Sequence, residues 1–416
     1  MSPQISESVM DSPAWAVTTP RPETHKLQRR IQRRQRRMAN RFLVIGFLLV
    51  VAAPLVSLLL RPGVDEEIRT QEQREPSPFP TLKTVKLKHL PSRFEAWFND
   101  HRGFRGELIG LYGQARLAGF VSNNQHQAPG TEDNNQGVLI GRQGWLYLSD
   151  YKIKRDYRRS HPFTSEELSH WKSSLTERRD WLAARGIEYV LVIAPDKGEI
   201  YPEYLPRSMA PVGDTARIDQ LMAECAGSQG IRIVDLRGPV LNMKASQTQD
   251  IYSHTDTHWN QLGAYAGYQA IMQEVSTTLP GIPAWKLEEF DIQPGAPMRL
   301  DLAQMLGGAF PVLEQPILLS PKSPPHWKQV PARTPEKSSL FIEPTENPQA
   351  ERPGIVIVHD SFMLALAPLL NEHFQRVRYT TGRLNAQLID EEQPAMVIEE
   401  LVQRKLQDAP PPNPEP

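Results

Sequence analysis

The chain has 416 residues with 47 basic against 48 acidic side chains, and the formal charge of −1 excludes a protein that attracts nucleic acid by its overall field. A single cysteine, Cys225, excludes an internal disulfide framework and any Cys-built zinc or iron–sulfur centre. The charge is unevenly placed, because residues 1–41 hold nine basic and three acidic residues and the remainder therefore carries −7.

From the N-terminus, residues 1–41 read as a basic, disordered segment. Phe42 to Leu60 follows without a charge, and as a helix its 19 residues would span about 28 Å, close to a bilayer's hydrocarbon core. Its leading flank is the Arg-rich run Lys26 to Arg41, whereas the other flank has Arg61 before Asp65, Glu66 and Glu67. The positive-inside bias then places residues 1–41 in the cytoplasm and everything after Leu60 outside it, anchored by one pass through the inner membrane with a periplasmic domain. A cleaved signal peptide is the competing reading, but a 41-residue leading region is too long for one. Residues 61–89, rich in proline and charge, read as a linker.

Residues 90–406 alternate helix and strand patterns. Thr164 and Glu167 have capping-box spacing and open a helix to Arg185 with apolar Leu168, Trp171, Leu175, Trp181 and Leu182. Tyr189–Ile193 is a buried-type strand, Ile218–Cys225 a helix and Ile231–Val234 a second strand. Asn260 caps a helix from Gln261 to about Ser276. The Pro-rich stretch 280–353 has no period and reads as an insertion that shapes a substrate surface. Ile355–Val358 is a third strand, followed by a helix from Phe362 to Phe374, strands at Val377–Tyr379 and Met396–Ile398, and a last helix from Glu400 to Leu406. Residues 407–416 read as a disordered tail. Strands alternating with helices predict an α/β fold, a doubly wound, mostly parallel sheet with helices on both faces.

Two places carry chemistry. His254-Thr-Asp256-Thr-His258-Trp259 precedes the helix capped by Asn260, and His359-Asp360-Ser361-Phe362 follows the strand ending at Val358. A serine at the carboxyl end of a buried parallel strand lies where open α/β sheets place their active sites. An Asp two residues before a His lets the carboxylate orient one imidazole nitrogen while the other takes the serine proton. Two other readings stay open on the residues alone: Ser361 also fits a helix N-cap, and His254, Asp256 and His258 at two-residue spacing also fit an extended loop around zinc.

At these residues the chain resembles the SGNH-hydrolase-like acetyltransferases of the alginate O-acetylation group (AlgJ and AlgX), in which an Asp-x-His-Trp motif precedes a Gly-Asp-Ser-Phe motif. Softer similarity lies in Phe94 to Arg105, Gly144 to Tyr147, Ala194 to Lys197, Tyr201 to Pro206 and Pro394 to Leu406, so the resemblance covers roughly residues 90–406. It implies Ser361 as nucleophile, His258 as base and Asp256 as orienting carboxylate, without metal or other cofactor. It further implies an acetyl group moved through a serine acyl-enzyme onto hydroxyls of an exopolysaccharide, with acetyl supplied by a multi-spanning membrane acyltransferase. An acetylesterase with the same triad and a non-catalytic polysaccharide-binding assembly protein are the alternatives. The departure from the family pattern is His359, which stands where the family has Gly; it fills the acyl pocket or acts as a second proton-transfer group. Lys197 and Tyr204, beyond the strand ending at Ile193, are candidate substrate contacts together with His359, whereas Trp145 and Tyr147 read as packing residues. Asp301 reads as a partner in a loop ion pair.

Overall fold

Alternate residues of the strand Glu188–Ala194 enter two different hydrophobic clusters, which is how a sheet covered on both faces is built. The computed structural model describes residues 37–38, 40–49, 52, 56, 76–81, 87–101, 137–228, 230–281, 283–306, 312–332 and 340–414. Two compact units result, one of residues 1–64 and 77–104 and one of residues 65–76 and 105–416. In the first, helix α1 (Leu90–His101) sets Phe94 and Trp97 edge-on to Phe79. This helix, which the sequence places at the start of residues 90–406, groups with the first unit. Of the expected membrane segment, residues 42–49, 52 and 56 are described and helical. The rest of 42–60, most of 1–41 and most of 61–89 lie outside the described residues, and no described helix is long and apolar enough to cross a membrane.

The second unit opens with the hairpin β1 (Val138–Ile140) and β2 (Leu146–Leu148). Its main sheet uses β3 (Glu188–Ala194), β4 (Ile233–Asp235), β7 (Lys328–Gln329), β8 (Thr345–Glu346), β9 (Ile355–His359), β10 (Arg376–Thr381) and β11 (Met396–Val402), while β5 (Phe290–Pro294) and β6 (Ile317–Pro321) pair separately. The main order is β4-β3-β11-β9-β10-β8-β7; the first five strands are mutually parallel, β8 pairs antiparallel with β10, and β7 pairs antiparallel with β8. All five strands expected from the sequence form the parallel part. The helices are α2 (Tyr151–Tyr157), α3 (Ser165–Ala183), α4 (Lys197–Ile200), α5 (Arg217–Cys225), α6 (Arg237–Ser246), α7 (Gln261–Val275), α8 (Asp301–Met305), α9 (Met363–Leu370) and α10 (Ala386–Glu392).

One face of the sheet buries Val190, Val192, Ile355, Ile357 and Ile398 against Leu262 and Ile271 of α7 and Leu366 and Leu370 of α9. The other buries Tyr189, Leu191, Val356, Val358 and Val397 against Trp171, Leu175 and Leu182 of α3 and Ile218 and Leu221 of α5. Local signals set the helix starts: Thr164 and Glu167 form the reciprocal capping box, and Asn260 Oδ1 accepts from the Leu262 and Gly263 amides at 3.0 and 3.2 Å.

Three expectations are corrected. Glu400 begins no helix: β11 runs through it to Val402, and a short 3₁₀ turn, Gln403–Gln407, follows. The strand tolerates Glu399 because its carboxyl meets Arg178 and Tyr189, while Glu400 accepts the Asp360 amide through Oε2 and leaves Oε1 buried without a hydrogen-bond partner among the described residues. The insertion holds β5 to β8 and α8, two strands of which extend the main sheet. The expected tail is anchored, since Arg178 donates to the Pro411 carbonyl and to Asn413, and Asn413 donates to the Ser174 carbonyl at 3.2 Å.

Candidate active site

Two chain segments meet at the carboxyl edge of the parallel strands. From β9 the chain turns through Asp360-Ser361-Phe362 into α9. The Asp360 carboxylate shapes that turn, with Oδ1 accepting from the Phe362 amide at 2.9 Å and Oδ2 from the Val402 amide of β11 at 2.8 Å. Both Asp360 oxygens thus accept backbone amides. The second segment, 253–259, runs into the N-cap of α7. Both are joined by Trp259, whose Nε1–H donates to the Phe362 carbonyl at 3.1 Å.

Ser361 Oγ lies 2.7 Å from His258 Nε2, and His258 Nδ1 lies 2.8 Å from Asp256 Oδ1. The same Oδ1 accepts the His258 amide at 2.8 Å, closing a small ring that fixes the carboxylate under its own histidine. A carboxylate only accepts, so Nδ1 carries a proton and Nε2 is the acceptor for the serine hydroxyl when the ring is neutral. His258 keeps 26% of its side chain accessible.

Electrostatics follow from this geometry. Burial opposes a charged imidazole, but the hydrogen bond and charge of Asp256, with Asp301 behind them, outweigh it and hold His258 above its ordinary pKa. Burial likewise opposes an ionised Asp256, yet the partnership with His258 and the charge of Lys197 hold it below the usual carboxylate range.

Asp301, read from the sequence as a partner in a loop ion pair, forms its pair with His258, a place in the site that the sequence did not reveal. It opens α8 inside the insertion, with Oδ2 3.5 Å from His258 Nδ1 and Oδ1 accepting the Thr257 amide at 2.7 Å and its neighbour Leu302's at 2.6 Å. Burial and the charge of Asp256 push it up to about 6. Asp256, His258 and Asp301 each bring one ligand atom within 4.8 Å of the others, a set that could hold a metal ion. In the arrangement found, His258 Nδ1 and Asp256 Oδ1 bond each other at 2.8 Å, and Asp301 Oδ1 accepts two backbone amides. The His254–Asp256–His258 set weighed from spacing is not assembled: His254 Nε2 pairs with Asp250 Oδ2 at 2.9 Å, and its ring stacks on Trp145 at 4.3 Å.

Lys197 contacts no substrate surface, which corrects its expected role. It is 2% exposed, and the carbonyls of Leu146, Ser253, His254 and Asp256, 2.7 to 2.9 Å from Nζ, share its three N–H donors. Burial pulls its ammonium down to about 7 against the opposing charges of Asp256, Asp301 and Glu314. Tyr204 stacks on Trp145 at 4.6 Å and is half-buried, and Trp145 and Tyr147 are buried packing residues as expected. His359 ends β9 at 4% exposure; its Nδ1 donates to the Asp360 carbonyl at 2.8 Å, and its ring meets Tyr379 edge-on at 5.6 Å.

The family described as SGNH hydrolase-like domain, acetyltransferase AlgX, matches residues 138–375. The chain is 29% identical over 153 residues to the probable alginate O-acetylase AlgJ of Pseudomonas aeruginosa, covering 36% of this chain and 37% of that protein. It is 27% identical over 178 residues to the AlgJ of Azotobacter vinelandii, covering 42% of each. The aligned part thus spans about two fifths of these relatives' length. Among solved structures, the O-acetyltransferase domain of Pseudomonas putida AlgJ is similar with a TM-score of 0.43 and 23% identity, over 65% of this chain and 92% of that one.

Proposed function

The chain belongs to the family of the SGNH hydrolase-like domain, acetyltransferase AlgX, and from that premise we propose that it transfers acetyl groups through a Ser361 acyl-enzyme onto hydroxyls of an exopolysaccharide, alginate or a related polymer. The observation that carries the reading is the continuous relay from Ser361 Oγ through His258 to Asp256, at 2.7 and 2.8 Å.

In the first half-reaction His258 Nε2 takes the Ser361 proton as Oγ attacks the carbonyl carbon of the acetyl donor. The oxyanion forms beside the start of α9. There the Phe362 amide is held by Asp360 Oδ1, and the Met363 and Leu364 amides are held by the carbonyls of Asp360 and Ser361. The Ser361 amide is accordingly the donor of this turn that we assign to the oxyanion. Collapse expels the donor's leaving group, which takes the proton from His258. In the second half a sugar hydroxyl gives its proton to His258 and attacks the acyl carbon, and Ser361 recovers the proton as the ester forms on the sugar. Asp256 holds the imidazole in the tautomer both halves need and faces the imidazolium that forms within each of them. Water in place of the sugar gives an acetylesterase with the same residues.

The proposal places the site outside the cytoplasm, on a chain anchored by residues 42–60, with acetyl delivered by a multi-spanning membrane acyltransferase. The motivating feature is the basic flank before Phe42. A reporter fused after residue 70 should be active outside the cytoplasm and one at residue 30 inside; reversed activities would remove the placement. For the chemistry, the full-length protein and its Ser361→Ala variant are compared on an activated acetyl ester with and without oligosaccharide. Turnover that depends on both Ser361 and oligosaccharide supports the transferase. Water-only turnover supports the esterase, and undiminished turnover by Ser361→Ala ends the nucleophile assignment.

A further inference from the structure

Segment 253–257, which carries Asp256 and leads to His258, is gripped peptide by peptide between opposite charges. The peptide joining Ser253 and His254 gives its carbonyl to Lys197 Nζ at 2.7 Å and its amide to Glu314 Oε1 at 2.7 Å. The next, joining His254 and Thr255, gives its carbonyl to Lys197 at 2.8 Å and its amide to Glu314 Oε2 at 2.9 Å. The peptide joining Asp256 and Thr257 repeats the pattern with Lys197 at 2.9 Å and Asp301 Oδ1 at 2.7 Å. The carbonyl of Thr255 accepts from the Leu302 and Ala303 amides of α8 at 3.1 and 3.3 Å.

This arrangement has a direction. A peptide dipole is positive at its N–H end and negative at its C=O end, so a carboxylate at the amide and an ammonium at the carbonyl both lower its energy when water is excluded. Lys197 comes from the carboxyl end of β3, whereas Glu314 and Asp301 come from the insertion. No direct contact between ammonium and carboxylate is needed, because the peptide units stand between them. Neither Lys197 nor Glu314 touches Ser361 or the His258 ring among the described residues.

We propose that Lys197, Glu314 and Asp301 form a peptide-bridged charge clamp that positions the Asp256–His258 pair, which makes the insertion part of the catalytic apparatus. Lys197 and Glu314 are positioning residues: they set where Asp256 stands and hence where His258 Nε2 meets Ser361. The catalytic consequence rests on the serine reading above; the clamp itself does not.

The test uses the full-length protein in two arms. In hydrogen–deuterium exchange, Glu314→Gln should raise exchange across residues 252–259 about tenfold or more, while α3 and β3 keep wild-type rates. Lys197→Met should do the same. The double variant should exchange no faster than the worse single variant, since either change releases the same peptide units. Wild-type exchange in both single variants, or effects that multiply in the double variant, would overturn the clamp. Should Glu314→Gln fail to fold, Asp301→Asn leaves the Glu314 arm intact and reports the third peptide through the same segment. In the second arm, Glu314→Gln should lower kcat for an activated acetyl ester about 10²-fold, as a misplacement near 1 Å does, with KM unchanged. A rise in KM at constant kcat would instead make Glu314 a binding residue and overturn the positioning role. Absence of turnover by the wild type would defeat the serine reading while the exchange arm still decides the clamp.

Discussion

Trp259 donates its indole N–H to the main-chain carbonyl of Phe362, so the residue after the proposed base is bonded to the residue after the proposed nucleophile. The two motifs lie 103 residues apart in the chain, and this bond ties together the two segments whose contact brings His258 within 2.7 Å of Ser361. Trp259→Phe keeps a ring in the pocket but leaves a buried carbonyl without its donor. The expected cost is about 1–3 kcal/mol of stability, read as a lower denaturant midpoint, together with slower turnover. An unchanged midpoint and rate would show that the contact between the motifs is set elsewhere.

The second carboxylate behind His258 has a consequence for pH dependence. General-base action needs neutral His258, so the acid limb of kcat/KM follows its pKa, which Asp256 and Asp301 together hold above the ordinary value. Asp301→Asn removes one of those negative charges and keeps a side chain of similar size. The His258 pKa should fall and the acid limb should move to lower pH. A pH–rate profile reads this directly; a limb that stayed in place or moved up would show that Asp301 exerts no field on the imidazole.

Much of this arrangement was legible in the sequence, and what was missed has physical causes. Short apolar runs bounded by turn residues marked all five parallel strands, because strands buried on both faces cannot alternate. Thr164, Glu167 and Asn260 declared their helix starts because capping is a local interaction. Asp256, His258 and Ser361 stood out by spacing and by resemblance. Asp301 and Glu314 carried no such signal, since each acts by a contact made only when a segment without periodicity folds back over residues some 44 and 60 positions away. Lys197 was located at the correct strand end and given the wrong task, because nothing local tells a lysine that four carbonyls enclose it. The helix expected at Glu400 failed for a related reason: two adjacent glutamates look exposed until Arg178 and Asp360 supply their partners.

Arg178 tests that last relation. Its guanidinium is buried and pairs with Glu399 in β11, while the same group holds the Pro411 carbonyl and Asn413. Arg178→Ala leaves Glu399 buried with the Tyr189 hydroxyl, 2.7 Å away, but with no positive charge. Removing one partner of a buried pair costs about 3–5 kcal/mol, and the C-terminal segment loses its anchor. Thermal unfolding should show the loss, and limited proteolysis should cut within 408–414 faster than in the wild type. Resistance equal to the wild type would mean that other contacts hold this segment.

His359 reads, by the resemblance, as a departure from a family glycine, and its surroundings decide between filling space and moving protons. Nδ1 is committed to the Asp360 carbonyl, the ring edge rests on Tyr379, and the residue is 4% exposed. A proton-transfer group needs a path to the reacting atoms, and His258 already occupies Ser361 Oγ. His359→Gly should therefore act mainly on the fold: it opens a gap at the end of β9, costing about 2–5 kcal/mol by the range for large core truncations. Turnover, measured where the variant remains folded by circular dichroism, should stay within about tenfold, or ~1.4 kcal/mol. The emptied space should also admit acyl donors bulkier than acetyl, so the ratio of butyryl to acetyl ester turnover should rise. A loss in the range of about 10²–10⁴ with one limb of the pH profile gone is what removal of a general acid or base produces. That result, in a folded variant, would reassign His359 to the chemistry and leave the glycine of its relatives to be explained by a different route for the proton.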